Sequence, residues 1–195
     1  IKNNLLGVCD QMYLFEPGDD TTVCVLKAVK PKKVKLFTGP PTHKEDDAKV
    51  VHELMNNADI RIVSGGTTSQ IVARELGVEV KSSTEIYDKE VPPIAYIQGV
   101  DLVTEGVLTL SKTIDRLKSL SKSLDSDIFK AKDGASQMAK LLYSSSHIKL
   151  LVGRSLNIAN AESSFQRDLE LRLHVVGELE KILVKLGKIV TVEYY

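Results

Sequence analysis

The chain has no tryptophan and only 5 % aromatic residues, too few to build the stacking platform on which single-stranded nucleic acids bind. It has no surplus of either charge, since 26 Lys and Arg stand against 26 Asp and Glu. No overall field therefore draws it to a polyanion. Cysteine is scarce: Cys9 and Cys24 make no disulfide framework and lack metal-ligand spacing, a usage that fits a reducing cytoplasm. No apolar run approaches the roughly 18 residues of a membrane span, and no signal peptide pattern is visible. The four histidines, His43, His52, His147 and His174, show no i, i+4 pairing, which argues against a His-ligated metal. A P-loop, a dinucleotide fingerprint and a G-x-S-x-G nucleophile motif are all missing. What is there is a 195-residue chain, 43 % hydrophobic and 27 % charged, an ordinary globular composition with room for one good core.

Residues 1–15 carry Leu5, Leu6, Cys9, Met12 and Tyr13 at helical spacing. The chain starts inside that pattern without an initiator Met, as expected of a fragment. The acidic turn Glu16-Pro-Gly-Asp-Asp-Thr-Thr22 then enters an alternating segment, 22–29, which predicts a strand with Cys24 in its apolar interior. Lys30-Pro-Lys-Lys33 reads as a linker, dividing the chain into 1–30 and 34–195. Beyond it, strands alternate with helices. Strands are expected over 34–38, 60–63, 78–81, 147–152 and 189–194. A Thr42-His-Lys-Glu45 capping box precedes a helix carrying Val50, Val51, Leu54 and Met55. A second helix ends at Gly77, and a third starts from an Asp101 cap and bears Leu102, Val103, Val107, Leu110, Ile114 and Leu117. Residues 82–100 and 119–130 read as irregular, and 153–165 as a loop. Further helices cover 134–144 and 167–186. Such alternation predicts an α/β fold of three layers, a mostly parallel sheet with helices on both faces. The direction of the last strand is left open.

In such sheets ligands bind beyond the carboxyl ends of the strands. Two connections there have suggestive compositions. In Ser64-Gly65-Gly66-Thr67-Thr68-Ser69 the glycines let backbone N–H groups approach an anion at a helix start, and three hydroxyls can bind oxygens. Thr38-Gly39-Pro40-Pro41-Thr42 opens onto the same crevice if strands 34–38 and 60–63 are neighbours. Arg154, just after a strand, can act as a phosphate clamp there or pair with a surface acid. The plainer reading of 64–69 is a tight turn and an ordinary helix cap. Asp101 and Glu105 sit where a helix dipole favours carboxylates regardless of function. In the acidic turn, Asp19 and Asp20 suit a hard divalent cation that prefers oxygen ligands, yet little chain precedes them to complete a site.

The segment Pro17-Gly-Asp-Asp-Thr-Thr-Val-Cys-Val-Leu-Lys27 resembles the end of the catalytic domain of bacterial metal-dependent serine phosphatases. These are protein phosphatase 2C-like enzymes of the stage II sporulation protein E type. In that family an Asp-Asp-x-Thr turn enters a closing strand, and its first Asp binds a catalytic Mn²⁺ or Mg²⁺. The resemblance makes Asp19 the matching ligand, with Asp20 beside it, and residues 1–15 the family's last helix before the turn. The runs 36–41, 63–77, 99–106, 151–157 and 187–194 resemble a C-terminal extension carried by some of these phosphatases. The likeness thus spans most of the chain.

It implies a parent that dephosphorylates phosphoserine or phosphothreonine proteins with metal-activated water, followed by a regulatory or assembly domain. The family's other metal motifs are absent before residue 16, and one carboxylate turn cannot hold a two-metal centre. The chain alone is therefore expected to be inactive and metal-free. Two further readings are compatible with this. The α/β part senses a small phosphate- or nucleotide-like anion through Gly65–Ser69, or it dimerises through an apolar helix face such as 169–186.

Overall fold

The chain divides into two units, Ile1–Lys30 and Pro31–Tyr195. The computed structural model describes residues 2–16, 18, 20–26, 28, 30–122, 127–155 and 162–195. In the first unit, helix α1 spans Lys2–Met12. It ends in a turn where Leu14 (φ 55°) and Phe15 (φ 63°) are left-handed. The ring of Tyr13 lies on Gly18, where a Cβ would come within 2.6 Å of Cδ1. The strand expected over 22–29 does not form among the described residues: a strand needs a ladder partner, and none of the unit's described residues supplies one. Cys24 is accordingly exposed rather than core.

The second unit begins with β1, Lys33–Thr38, whose residues after Lys33 are all buried. It continues through α2 (Asp47–Met55), β2 (Ile60–Ser64) and α3 (Gly66–Leu76). Two short strands follow, β3 (Lys81–Ser82) and β4 (Ala95–Tyr96), then β5 (Leu102–Thr104). Then come α4 (Val107–Lys122), α5 (Gly134–Tyr143), β6 (His147–Val152), α6 (Glu162–Lys185) and β7 (Ile189–Tyr194). The strands form one sheet in the order β3-β4-β5-β2-β1-β6-β7. β5, β2, β1, β6 and β7 run parallel, and β3 and β4 pair antiparallel at one edge. Near-continuous apolar strands suit this arrangement, because both faces are covered. Leu36, Ile62 and Leu150 point into a core with Leu110, Leu117, Met138, Leu142, Val176 and Leu179 of α4, α5 and α6. The neighbouring residues Phe37, Val63 and Leu151 point the other way, against Val50, Leu54 and Val72 of α2 and α3. The fold is the three-layer α/β sandwich expected.

Several expected elements differ. Leu102 and Val103 are not in a helix capped by Asp101: they form β5 beside β2, and Asp101 Oδ2 instead accepts from Arg61 N at 2.7 Å. Glu105 thus lies in the loop between β5 and α4. The helix α4 runs on to Lys122 rather than stopping at 119, because Leu120 continues its buried stripe. Thr42 is no helix cap, since its hydroxyl donates to Tyr195 O at 3.2 Å and a 3-10 turn, Lys44–Asp46, precedes α2. The strand at 78–81 shifts to Lys81–Ser82, because α3 closes on Gly77 (φ 66°) with Val78 N bonded back to Ala73 O. The last strand is parallel. The apolar side of α6, Val176, Leu179 and Leu183, is buried in the unit's own core rather than offered to a second copy.

Candidate functional site

From β1 the chain moves outward to β2 and β5, then returns to β6 and β7 on the other side of β1. In open α/β sheets the loops part at such a reversal and leave a ligand crevice. Here they meet instead. Gly153 N donates to Thr38 O at 2.9 Å and Ser155 N to Pro40 O at 3.0 Å. The fit depends on glycine: a Cβ on Gly153 would overlap the Pro40 carbonyl.

The open crevice lies one strand over, above the carboxyl ends of β1, β2 and β5. It is a cavity of about 210 Å³ whose lining includes Thr38, Gly39, Ser64–Thr68, Glu105 and Arg172. The parallel pairing of β1 with β2 sets Thr38 opposite Ser64 and so brings both candidate loops to one place. Ser64 Oγ donates to Glu105 O at 2.9 Å, and Gly65 N donates to Thr104 O at 2.9 Å. These bonds tie the β2–α3 turn to the β5–α4 loop. Gly65 caps α3 with φ 123° and ψ 135°, a backbone region open only to glycine. The first intrahelical bond runs from Ser69 N to Gly65 O at 2.8 Å, so the N–H groups of Gly66, Thr67 and Thr68 have no partner within the helix.

Three further groups on the lining can interact with an anion. The guanidinium of Arg172, from α6, reaches over Gly39: a Cβ there would sit 2.6 Å from Nη1. Its Nη1 donates only long bonds, to Gly153 O at 3.3 Å and Ser155 O at 3.5 Å, and no ion pair holds it among the described residues. Burial pulls its pKa down, partly offset by the nearby carboxylate of Asp168, and a guanidinium stays charged. Thr38 and Thr68, each 1 % exposed, line the same space. Their hydroxyls make no hydrogen bond to any described residue. Each hydroxyl can donate to or accept from a ligand oxygen in the cavity.

The other expected residues fall differently. Thr67 is exposed and lines the cavity. Ser69 does not line it, because its hydroxyl donates to Gly65 O at 2.8 Å and so secures the turn. Arg154 does not line this cavity. It is exposed, its guanidinium stacks 5.4 Å from the Tyr194 ring centre, and its backbone N–H donates to Tyr195 O at 2.9 Å. The cation that does line the cavity is Arg172, which sequence reasoning missed. The available signal was a lone cation three residues after Leu169 and four before Val176, on the core-facing stripe of its helix.

Of the proposed metal ligands, Asp19 lies outside the described residues and Asp20 is exposed. Among the described residues no three His, Cys, Asp or Glu side chains converge, so these residues do not by themselves fit a two-metal centre. Nor is any helix of the described residues long and apolar enough to cross a membrane. No protein-family model, curated protein or solved structure matches the chain.

Proposed function

We propose that residues 31–195 are a small-anion-binding regulatory module, and that in the intact protein this module follows a metal-dependent serine/threonine protein phosphatase domain. The observation that carries the first half is the convergence of Arg172, the N–H groups of Gly66–Thr68 and the unpartnered hydroxyls of Thr38 and Thr68 on one cavity. A phosphate, sulfate or carboxylate offers several acceptor lone pairs and negative charge, which is what this donor set lacks. The second half rests on the sequence turn Asp19-Asp20-Thr21-Thr22 and its likeness to the phosphatase motif. In that reading Asp19 is one ligand of the parent's Mn²⁺ or Mg²⁺, which supplies an activated water. The chain alone carries no hydrolytic activity.

Gly66 provides the cleanest test. Its φ is not restricted to glycine, and a Cβ there meets nothing closer than Glu105 Oε2 at 4.0 Å, so Gly66→Val keeps the fold while filling the space an anion needs. Inorganic phosphate at tenfold above its Kd should raise the melting temperature of the wild-type chain by about 3–6 °C. Gly66→Val and Arg172→Gln should each lose that shift. Equal stabilisation of wild type and both variants, or none of the wild type at tens of millimolar phosphate, would refute the anion site. For the parent's chemistry, metal-dependent hydrolysis of p-nitrophenyl phosphate by the pure chain would contradict its inactivity.

A further inference from the structure

The crevice at Arg172 does not end at Gly66. A second cavity, of about 250 Å³, opens on the other side of that residue, and the two have only Gly66 and Glu105 in common. Their chemistry differs sharply. The first holds the Arg172 cation beside Glu105 and is rich in donors. The second has no charged side chain besides Glu105: Gln70, Ser82 and Ser83 supply neutral polarity, and Val80 and Ile94 supply apolar wall. Between them the carboxylate of Glu105 is exposed and makes no hydrogen bond or ion pair with any described residue, with Oε2 4.0 Å from where a Gly66 Cβ would stand. A carboxylate accepts and cannot donate. Beside a bound anion it is repulsive unless the ligand presents donors to it.

We infer that the ligand is a phosphate ester of a polyhydroxylated alcohol, that is, a sugar phosphate or a nucleoside monophosphate. This rests on the anion site proposed above and specifies what fills it. The phosphoryl group lies at Arg172 and the N–H groups of Gly66–Thr68, with the hydroxyls of Thr38 and Thr68 lining the same space. Hydroxyls next to the ester donate to Glu105. The uncharged remainder continues past Gly66 between Val80 and Ile94, within reach of the Gln70 amide. A bare inorganic anion uses only half of this crevice and leaves Glu105 opposed to it. A purely apolar acid leaves Glu105 without a donor.

Calorimetric titration of the whole chain with four probes tests the assignment: inorganic phosphate, methyl phosphate, ribose 5-phosphate and adenosine 5′-monophosphate. At least one of the two hydroxylated esters should bind about tenfold or more tightly than methyl phosphate, as hydrogen bonds to a charged acceptor imply. Glu105→Gln should remove most of that advantage and leave inorganic and methyl phosphate binding unchanged or improved. Stronger binding of the nucleotide than of ribose 5-phosphate supports a nucleoside in the second cavity; equal binding supports a sugar phosphate. The assignment is overturned if hydroxylated esters bind no better than methyl phosphate, or if Glu105→Gln weakens all four probes equally. In either case phosphate still binds, and the anion site survives. Failure of every probe removes both readings.

Discussion

At the scale of single residues, the shape of the ligand end is set by where a side chain is absent. Gly39 (φ 78°) leaves room for the Arg172 guanidinium, and a Cβ there would also come 2.7 Å from Gly153 O. Gly153 is the stricter case, because what it would meet is backbone of the opposite loop, which cannot rotate away. Gly153→Ala should therefore destabilise the second unit by about 2–3 kcal/mol, the cost of forced overpacking, read as a lower urea midpoint. Gly66→Val, with open space around it, should change the midpoint by less than about 1 kcal/mol. The contrast follows from tertiary neighbours alone, since the flanking sequences Val-Gly-Arg and Gly-Gly-Thr do not say which glycine is crowded. Arg172 carries the same lesson. Its place on an apolar helix stripe was legible, but the loop it covers was not.

At the scale of elements, starts and stops follow local chemistry where that chemistry is strong. Asp133 has extended backbone (ψ 156°), and its side chain accepts from Ser136 N, a cap for α5 at 2.9 Å. Asp133→Ala should cost about 1–2 kcal/mol in a denaturant titration, while Asp133→Asn retains most of the stability because Asn caps nearly as well. α3 closes on Gly77 as its sequence indicates, with backbone bonds from the left-handed turn to Ala73 and Arg74. β5 is the instructive failure. Three residues, Leu102–Thr104, are too few to show a period of two, and their apolar side chains merge with the helical stripe that follows. What makes them a strand is the edge of β2 waiting beside them. The strand expected at 22–29 fails for the opposite reason: alternation is present, and the described residues of the first unit supply no partner strand.

At the scale of the whole second unit, one charged ladder joins four elements. Lys35 of β1 and Lys149 of β6 both bond Glu53 Oε1 of α2, at 2.6 and 2.8 Å, and Lys149 also bonds Glu193 of β7 at 2.6 Å. Hydrogen bonds from Lys149 and then Lys35 hold Glu53 below the ordinary carboxylate value of 4.5. Lys149 and then Tyr195 do the same for Glu193. Burial first, and then its bond to Glu193, pushes the Tyr195 phenol up, so it remains the donor. Both carboxylates have folded pKa values below their unfolded ones, so the unfolded chain binds protons more readily. Their stabilisation is complete above about pH 4.5 and is lost as pH falls through the lowered values. Lys149 is raised above 10.5 by Glu193 and then Glu53, so its share disappears only as pH climbs through that raised value. Urea midpoints measured from pH 7 to pH 3 should fall below about pH 4.5, and Glu53→Gln should flatten that fall. A pH profile identical in wild type and Glu53→Gln would show that the Glu53 part of the ladder carries no stability.

By itself the sequence determined the class of this fold, because strand and helix periods alternate and a strand buried on both faces must be apolar throughout. It also determined that a glycine-rich helix entry stands at a strand's carboxyl end, since Gly65-Gly66-Thr67 follows directly from a β segment. Only the tertiary structure decided which strands are neighbours, and with that where the crevice opens. Strand order depends on which edges pair across long stretches of chain, as β1 pairs with β6 more than a hundred residues away, and no local pattern records it. The same packing closed the gap between β1 and β6, set β1 beside β2 so that the two expected loops share one opening, and placed Arg172 rather than Arg154 on its lining.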